Sequence, residues 1–149
     1  MTVYAETSAV LRWLFAESGG EDVRAALAAA IKVVSSRLTA IETRRVVRRA
    51  EREGRISAAE SADLGAVFAQ ALSTWAVLEL TDEVARRAEE GFPSEPVRTL
   101  DAIHLASALV LRQSFPDLVI VTVDERVRAN AVQLGMRAGI SPPRPEIDE

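Results

Sequence analysis

LVIVTV at Leu118–Val123, running straight into Asp124 and then into ERVRANAVQLG at Glu125–Gly135, is the stretch on which the fold turns. Six residues apolar or β-branched on both alternating faces suit a strand buried on both sides, the habit of a parallel sheet covered by helices. The amphipathic run from Glu125 to Leu134, stopped by Gly135, supplies a covering helix. An acid at the junction, Asp124, sits where a parallel strand ends and a helix begins.

Working outward, the same alternation recurs. Upstream, Leu100 to Leu111 reads as a strongly apolar helix, and Phe92 to Val97, with Pro93 and Pro96, reads as a loop. Thr81 caps a helix ending at Gly91, and Trp75 to Leu80 alternates as a strand. Ser57 with Glu60 forms a capping-box pattern for a helix ending near Ser73, and Gly54 stops a long helix from about Thr39 to Glu53. Val33 to Ser35 suits a short buried strand, Val23 to Ile31 a helix, and Gly19 and Gly20 a break. At the start, Thr2 to Ala5 is β-prone, and Thr7 and Ser8 are hydroxyl residues suited to capping the helix from Ala9 to Phe15. Strand and helix alternate throughout, giving βαβ units and one α/β domain. The segment from Ser141, with Pro142, Pro143 and Pro145, reads as an extended tail.

Composition narrows the chemistry. The 149 residues are 48% hydrophobic and 27% charged, ordinary for one globular domain and unlike a disordered or low-complexity chain. No cysteine is present, which excludes disulfides, thiolate metal sites and a cysteine nucleophile and suits a reducing cytoplasm. Glu6 and Arg12 interrupt the apolar N-terminal stretch, so neither a signal peptide nor a membrane span is expected there. A net charge of −4 argues against non-specific nucleic-acid binding by the chain as a whole. Locally the picture differs: Lys32 is the only lysine beside 17 arginines, and six arginines fall between Arg44 and Arg55. Arginine's planar fork suits phosphate or a partner's carboxylates.

Ligands of open parallel sheets bind at the carboxyl ends of the strands. Glu6 and Asp124 both occupy such ends. Glu42, in LTAIETRR, and Asp101, opening LDAIHLASAL, have apolar neighbours that should set them at the border of the core. Four carboxylates converging there would repel by roughly 4 kcal/mol for each pair at about 4 Å and an effective dielectric of 20, so the cluster would take up protons or a cation. Oxygen donors with one histidine and no cysteine select a hard ion, Mg²⁺ or Mn²⁺. Such an ion can activate water and offset charge on a phosphoryl oxygen, which is phosphodiester chemistry. Each acid alone would more often be a helix cap or a partner of the helix dipole than a metal ligand.

The segments VYAETSAVLRWL, LTAIETRRVV, TLDAIHLASAL and VTVDERVRANAVQLG resemble, in order and spacing, the PIN-domain ribonucleases, and the chain looks like a toxin of the VapC type. The resemblance implies a PIN domain over residues 1–140, with 141–149 as the Pro-rich tail. It implies a three-layer α/β fold with a central parallel sheet of about four to five strands flanked by helices. It further implies a cytoplasmic endoribonuclease that cuts single-stranded RNA with Mg²⁺ or Mn²⁺, a cognate antitoxin protein and a homodimer, with no membrane role. Glu6, Glu42, Asp101 and Asp124 are then the catalytic and metal-binding cluster. Glu6 departs from the aspartate usual in the first motif and is one methylene longer. That departure leaves open a catalytically weakened PIN-fold module that binds RNA or protein. A phosphoaspartyl phosphatase is disfavoured, because the first strand lacks a D-x-D pair.

Around the cluster, Thr7 and Ser8 are caps that could also place a hydroxyl at the site, and Thr122 resembles the hydroxyl of the family's T-x-D motif, which orients the site by hydrogen bonding. His104, one turn after Asp101, is either a proton relay or a satisfied core histidine. Arg45 and Arg49 follow Glu42 at helix spacing and either steer RNA phosphates, meet acidic antitoxin residues, or form a solvated face paired with Glu51 and Glu53. Trp13, Leu14 and Phe15 with Val67, Phe68 and Leu72 are either ordinary core or an apolar groove for an antitoxin helix or a second copy.

Overall fold

The computed structural model describes residues 1–140; the Pro-rich segment read as a tail lies outside the described residues. Five parallel strands, β1 (Thr2–Ala5), β2 (Lys32–Ser36), β3 (Ala76–Leu78), β4 (Val119–Val121) and β5 (Arg137–Ala138), stand in the order β3-β2-β1-β4-β5. Seven helices connect them among the described residues: α1 (Thr7–Leu14), α2 (Gly20–Ala29), α3 (Arg37–Arg52), α4 (Ala58–Leu72), α5 (Asp82–Glu89), α6 (Thr99–Ser114) and α7 (Glu125–Gln133).

The alternation of side chains along the two central strands divides the core in two. Val3, Ala5, Val119 and Val121 face one way and pack with Ala9, Val10, Val23, Ala40 and Phe68 from the first four helices. Tyr4 and Ile120 face the other way and pack with Leu105, Ala108, Val127 and Ala131 from α6 and α7. Every residue of β1 and β4 is buried. The result is the expected three-layer α/β arrangement.

Several boundaries differ from the sequence reading, each for a local reason. Helix α3 starts at Arg37, because the Ser36 hydroxyl accepts the Leu38 amide and caps the helix two residues early. The strand expected over Trp75–Leu80 shrinks to Ala76–Leu78, an edge strand held by β2 alone. The apolar helix before β4 extends at both ends, to Thr99 and Ser114. The two-residue strand β5 was not anticipated, since RA at Arg137–Ala138 carries no strand signal; it pairs with Val119 and Ile120, and just beyond it Gly139 N donates to the Ile120 carbonyl at 2.9 Å. The Ser57–Glu60 capping box and the Phe92–Val97 loop are both present.

The apolar residues of α1 and α4 resolve mostly as core. Leu14 and Phe68 are buried, Trp13, Phe15 and Leu72 pack against them, and Val67 is 49% exposed. Beside Val67 lies a cleft of about 310 Å³, walled by Leu14, Phe15, Ile56 and Leu64 and rimmed by Glu60 and Asp63.

This topology fixes where a site can form. From β1 the chain winds outward through β2 to β3, then crosses back to place β4 on the other side of β1. The connections above β1 and β4 therefore diverge, and the crevice between them is the switch point where open α/β sheets bind ligands.

At Gly20 the start of α2 lies against the backbone of α1: a Cβ there would lie 2.5 Å from the Arg12 carbonyl oxygen. Replacing Gly20 with alanine forces the two helices apart and should lower stability by about 1–3 kcal/mol, measured as a shift in the urea midpoint with an unchanged slope.

Candidate metal centre at the carboxyl edge

Glu6 follows β1 and Asp124 follows β4, so the register that pairs Ala5 with Val121 brings both to the switch-point crevice. Glu6 is only 4% exposed, a position an ionised carboxylate tolerates only with donors around it. Its Oε1 accepts the Ser8 amide at 3.1 Å, and its Oε2 accepts the Ser8 hydroxyl and, at 2.7 Å, the Thr122 hydroxyl. Glu6 is thus the cap of α1, and the expectation that Thr7 and Ser8 cap it is corrected: both lie inside the first turn. The carboxylate thus curls back onto its own helix, and the hydroxyls of Thr7 and Ser8 also take partners beyond it.

Ser8 and Thr122 use that freedom to tie the two strand ends together. The Ser8 Oγ accepts the Val123 amide at 3.1 Å, and Thr122 Oγ1 accepts the Asp124 amide at 3.1 Å. Asp124 in turn caps α7, its Oδ1 accepting the Arg126 and Val127 amides at 2.9 and 3.1 Å. Its second oxygen has no hydrogen-bond donor among the described residues.

Thr7 reaches the other way. Its hydroxyl donates to Glu42 Oε1 at 2.7 Å and stands 3.0 Å from His104 Nε2. His104 Nε2 lies 2.6 Å from the same Glu42 oxygen and 3.9 Å from Glu6 Oε1. Glu42 is therefore held from α1 and α6. Glu42 is half-buried at the border of the core as expected, although its apolar neighbour Ile41 is 53% exposed, because α3 buries Ala40, Thr43, Val47 and Ala50 instead. Burial alone would raise the Glu42 carboxyl, but the hydrogen bonds from His104 and Thr7 outweigh it and hold it below its ordinary range.

Asp101 lies in the first turn of α6, where Arg98 Nε approaches it at 3.5 Å. Burial raises its carboxyl, the charge of Asp124 raises it further, and Arg98 only partly offsets them. With Glu42 it lines an open cavity of about 310 Å³, closed by Arg98, Thr99 and Leu100.

Two features escaped sequence reading. Tyr4, fully buried under α6, places its hydroxyl 2.8 Å from His104 Nδ1, and its own ionisation is pushed far up by burial and by the nearby Glu6 charge. Ser35 donates to the Ala5 carbonyl at 2.6 Å, closing the end of β1 beneath the site. A tyrosine in an apolar strand reads as core, and nothing along the chain points it at a histidine a hundred residues away.

Arg45 and Arg49 are exposed on α3, and among the described residues neither forms an ion pair; Glu53, expected to pair with this face, engages Arg55 at 3.1 Å.

The donor set fits a hard divalent cation in kind: carboxylate oxygens from four elements, the charge of Asp124 raising the Asp101 carboxyl, with the one histidine committed to hydrogen bonds. Among the described residues, though, no three acidic or histidine side chains stand close enough to grip an ion together. Glu6 leans onto Ser8 and Thr122, and Glu42 onto Thr7 and His104, so the carboxylates frame the crevice without closing on its centre.

Comparisons with known proteins fall on one side. The PIN-domain profile matches residues 3–133. Ribonuclease VapC45 and Ribonuclease VapC49 of Mycobacterium tuberculosis (strains CDC 1551 / Oshkosh and ATCC 25618 / H37Rv) are each 30% identical over 135 residues, 91% of this chain and 92% of theirs. Among solved structures, VapBC2 of Rickettsia felis bound to a promoter DNA fragment superposes with a TM-score of 0.63 at 9% identity, over 95% of this chain and 98% of that one. VapC20 of M. tuberculosis, a toxin that cleaves the sarcin–ricin loop, gives 0.62 at 16% identity, over 85% and 93%. At such identities the structures speak for the fold alone.

Thr122 is the hinge of the hydroxyl network, so Thr122→Val should destabilise the protein by about 1–3 kcal/mol by leaving a buried carboxylate short of a donor, while Thr122→Ser should lose far less. Chemical denaturation of the two variants beside the wild type measures both.

Proposed function

The chain belongs to the PIN-domain family, and from that premise we propose that it is a metal-dependent endoribonuclease that cuts single-stranded RNA in the cytoplasm as the toxin of a toxin–antitoxin pair. One observation carries the reading. Carboxylates from four separate elements border the crevice at the sheet's switch point, and each is oriented by a hydroxyl, an amide, an arginine or His104.

Glu6, Glu42, Asp101 and Asp124 would hold the ion, Mg²⁺ or Mn²⁺. A divalent ion bound there supplies a Lewis acid that makes a water nucleophilic near neutral pH and offsets charge on a phosphoryl oxygen. The chain's own residues do the rest. Ser8 and Thr122 hold Glu6, while Thr7 and His104 hold Glu42. Asp124 keeps one oxygen towards α7 and offers the other, and Arg98 keeps Asp101 from leaving the cavity wall. Arg45 and Arg49, exposed and unpaired among the described residues beyond Glu42 on α3, draw the RNA backbone towards the crevice. Since the whole chain is acidic, this local face must act against the net field.

The antitoxin is the natural occupant of the cleft beside Val67, where an apolar floor and the Glu60 and Asp63 rim suit an amphipathic helix carrying basic residues. A homodimer goes with this reading. No helix among the described residues is long and apolar enough to cross a membrane.

Antitoxin-free protein should cleave a labelled single-stranded RNA with Mg²⁺ or Mn²⁺ and stop with EDTA, and Asp101→Asn should abolish cleavage. Activity recovered only in Glu6→Asp would favour a catalytically weakened binding module, and cleavage insensitive to EDTA would refute the metal reading. Arg49→Ala should weaken RNA binding and lower the slope of log affinity against log salt by about 1, leaving metal affinity unchanged.

A further inference from the structure

We propose that Tyr4 is a positioning residue that fixes His104 in its Nε2–H tautomer, so that the imidazole donates to Glu42 and leaves the other Glu42 oxygen turned to the cavity. The tautomer itself is independent of the proposed function; its effect on the metal centre rests on that reading.

The argument starts at the carboxylate. An ionised carboxylate only accepts hydrogen bonds, and His104 Nε2 stands 2.6 Å from Glu42 Oε1, so Nε2 carries the proton. A neutral imidazole has one donor and one acceptor nitrogen, which makes Nδ1 the acceptor. At 2.8 Å from Nδ1 stands the Tyr4 hydroxyl, and a phenol can donate to it. The rings meet edge to face, their centroids 6.1 Å apart, and turning the imidazole over would present ring carbons where Tyr4 and Glu42 now find nitrogens. His104 is 1% exposed and Tyr4 is fully buried, so their hydrogen bond is shielded from bulk water.

The chain of donors then runs one way, from Tyr4 O–H to Nδ1 and from Nε2–H to Glu42 Oε1, where the Thr7 hydroxyl also donates. With Oε1 holding two protein donors, Oε2 is the oxygen with no donor among the described residues, on a side chain that lines the Asp101 cavity. If Nδ1 carried the proton instead, Nε2 would face the carboxylate as an acceptor, and Glu42 would lose its firmest tether. Tyr4 comes from β1, His104 from α6 and Glu42 from α3, so one tautomer couples three elements.

Because His104 is the only histidine, ¹⁵N-histidine NMR of the metal-free protein reads its tautomer without assignment. The wild type should show Nε2 as the protonated nitrogen and Nδ1 as the bare, hydrogen-bonded one. Tyr4→Phe should mix or invert the tautomers, weaken Mn²⁺ binding by roughly tenfold, and lower kcat for RNA by a like factor with KM unchanged. A wild-type His104 that is protonated at Nδ1, or at both nitrogens, at neutral pH overturns the proposal, and so does a folded Tyr4→Phe that keeps the wild-type tautomer and Mn²⁺ affinity. Should that variant not fold, the wild-type spectrum alone decides. Absence of RNA cleavage in every form, with the tautomer as stated, would count against the ribonuclease reading and not against the role of Tyr4.

Discussion

A carboxylate cannot stay ionised inside a protein unless donors replace the water it has lost, and the architecture of this chain follows from meeting that constraint at one sheet edge. Glu6 is nearly as buried as the valines around it. Its donors come from Ser8, on its own helix, and Thr122, beyond a strand 116 positions away. Those hydroxyls also accept the amides of Val123 and Asp124, so a single polar knot fastens the end of β1 to the end of β4. The two strands that form the centre of the sheet are thus tied at the place where the topology opens a crevice.

A second knot lies beside the first. Thr7, His104 and Tyr4 hold Glu42, and together they join β1, α1, α3 and α6. Adjacent residues of one segment, Thr7 and Ser8, therefore serve different carboxylates on different sides of the crevice. This division is possible because Glu6 has taken over the capping of α1. Glu6 is thus both a candidate ligand and the cap of its own helix, its carboxylate held by Ser8 and Thr122.

Much of this was legible in the chain. The doubly apolar Leu118–Val123 run disclosed a parallel sheet, and the acids read at strand ends, Glu6 and Asp124, do stand at its carboxyl edge, because both follow from local pattern and topology. Glu42 was found despite a misplaced neighbour: Ile41 faces solvent, and what half-buries Glu42 is His104 from another helix. The strand Arg137–Ala138 could not be read, since its pairing depends on β4 already being in place. Nor could the partnership of Tyr4 with His104, which joins two residues that each look like ordinary core. Side-chain patterns report which face a residue takes; they do not report which polar atom it will find there.

Four carboxylates from four elements, on the proposed reading, hold divalent metal at the switch point. Crystals soaked in Mn²⁺ and measured at its absorption edge test it most directly. The account predicts an anomalous peak bounded by Glu6, Glu42, Asp101 and Asp124, with the Glu42 oxygen that His104 leaves free turned towards it. No peak at saturating Mn²⁺, or a peak held by other residues, would contradict it.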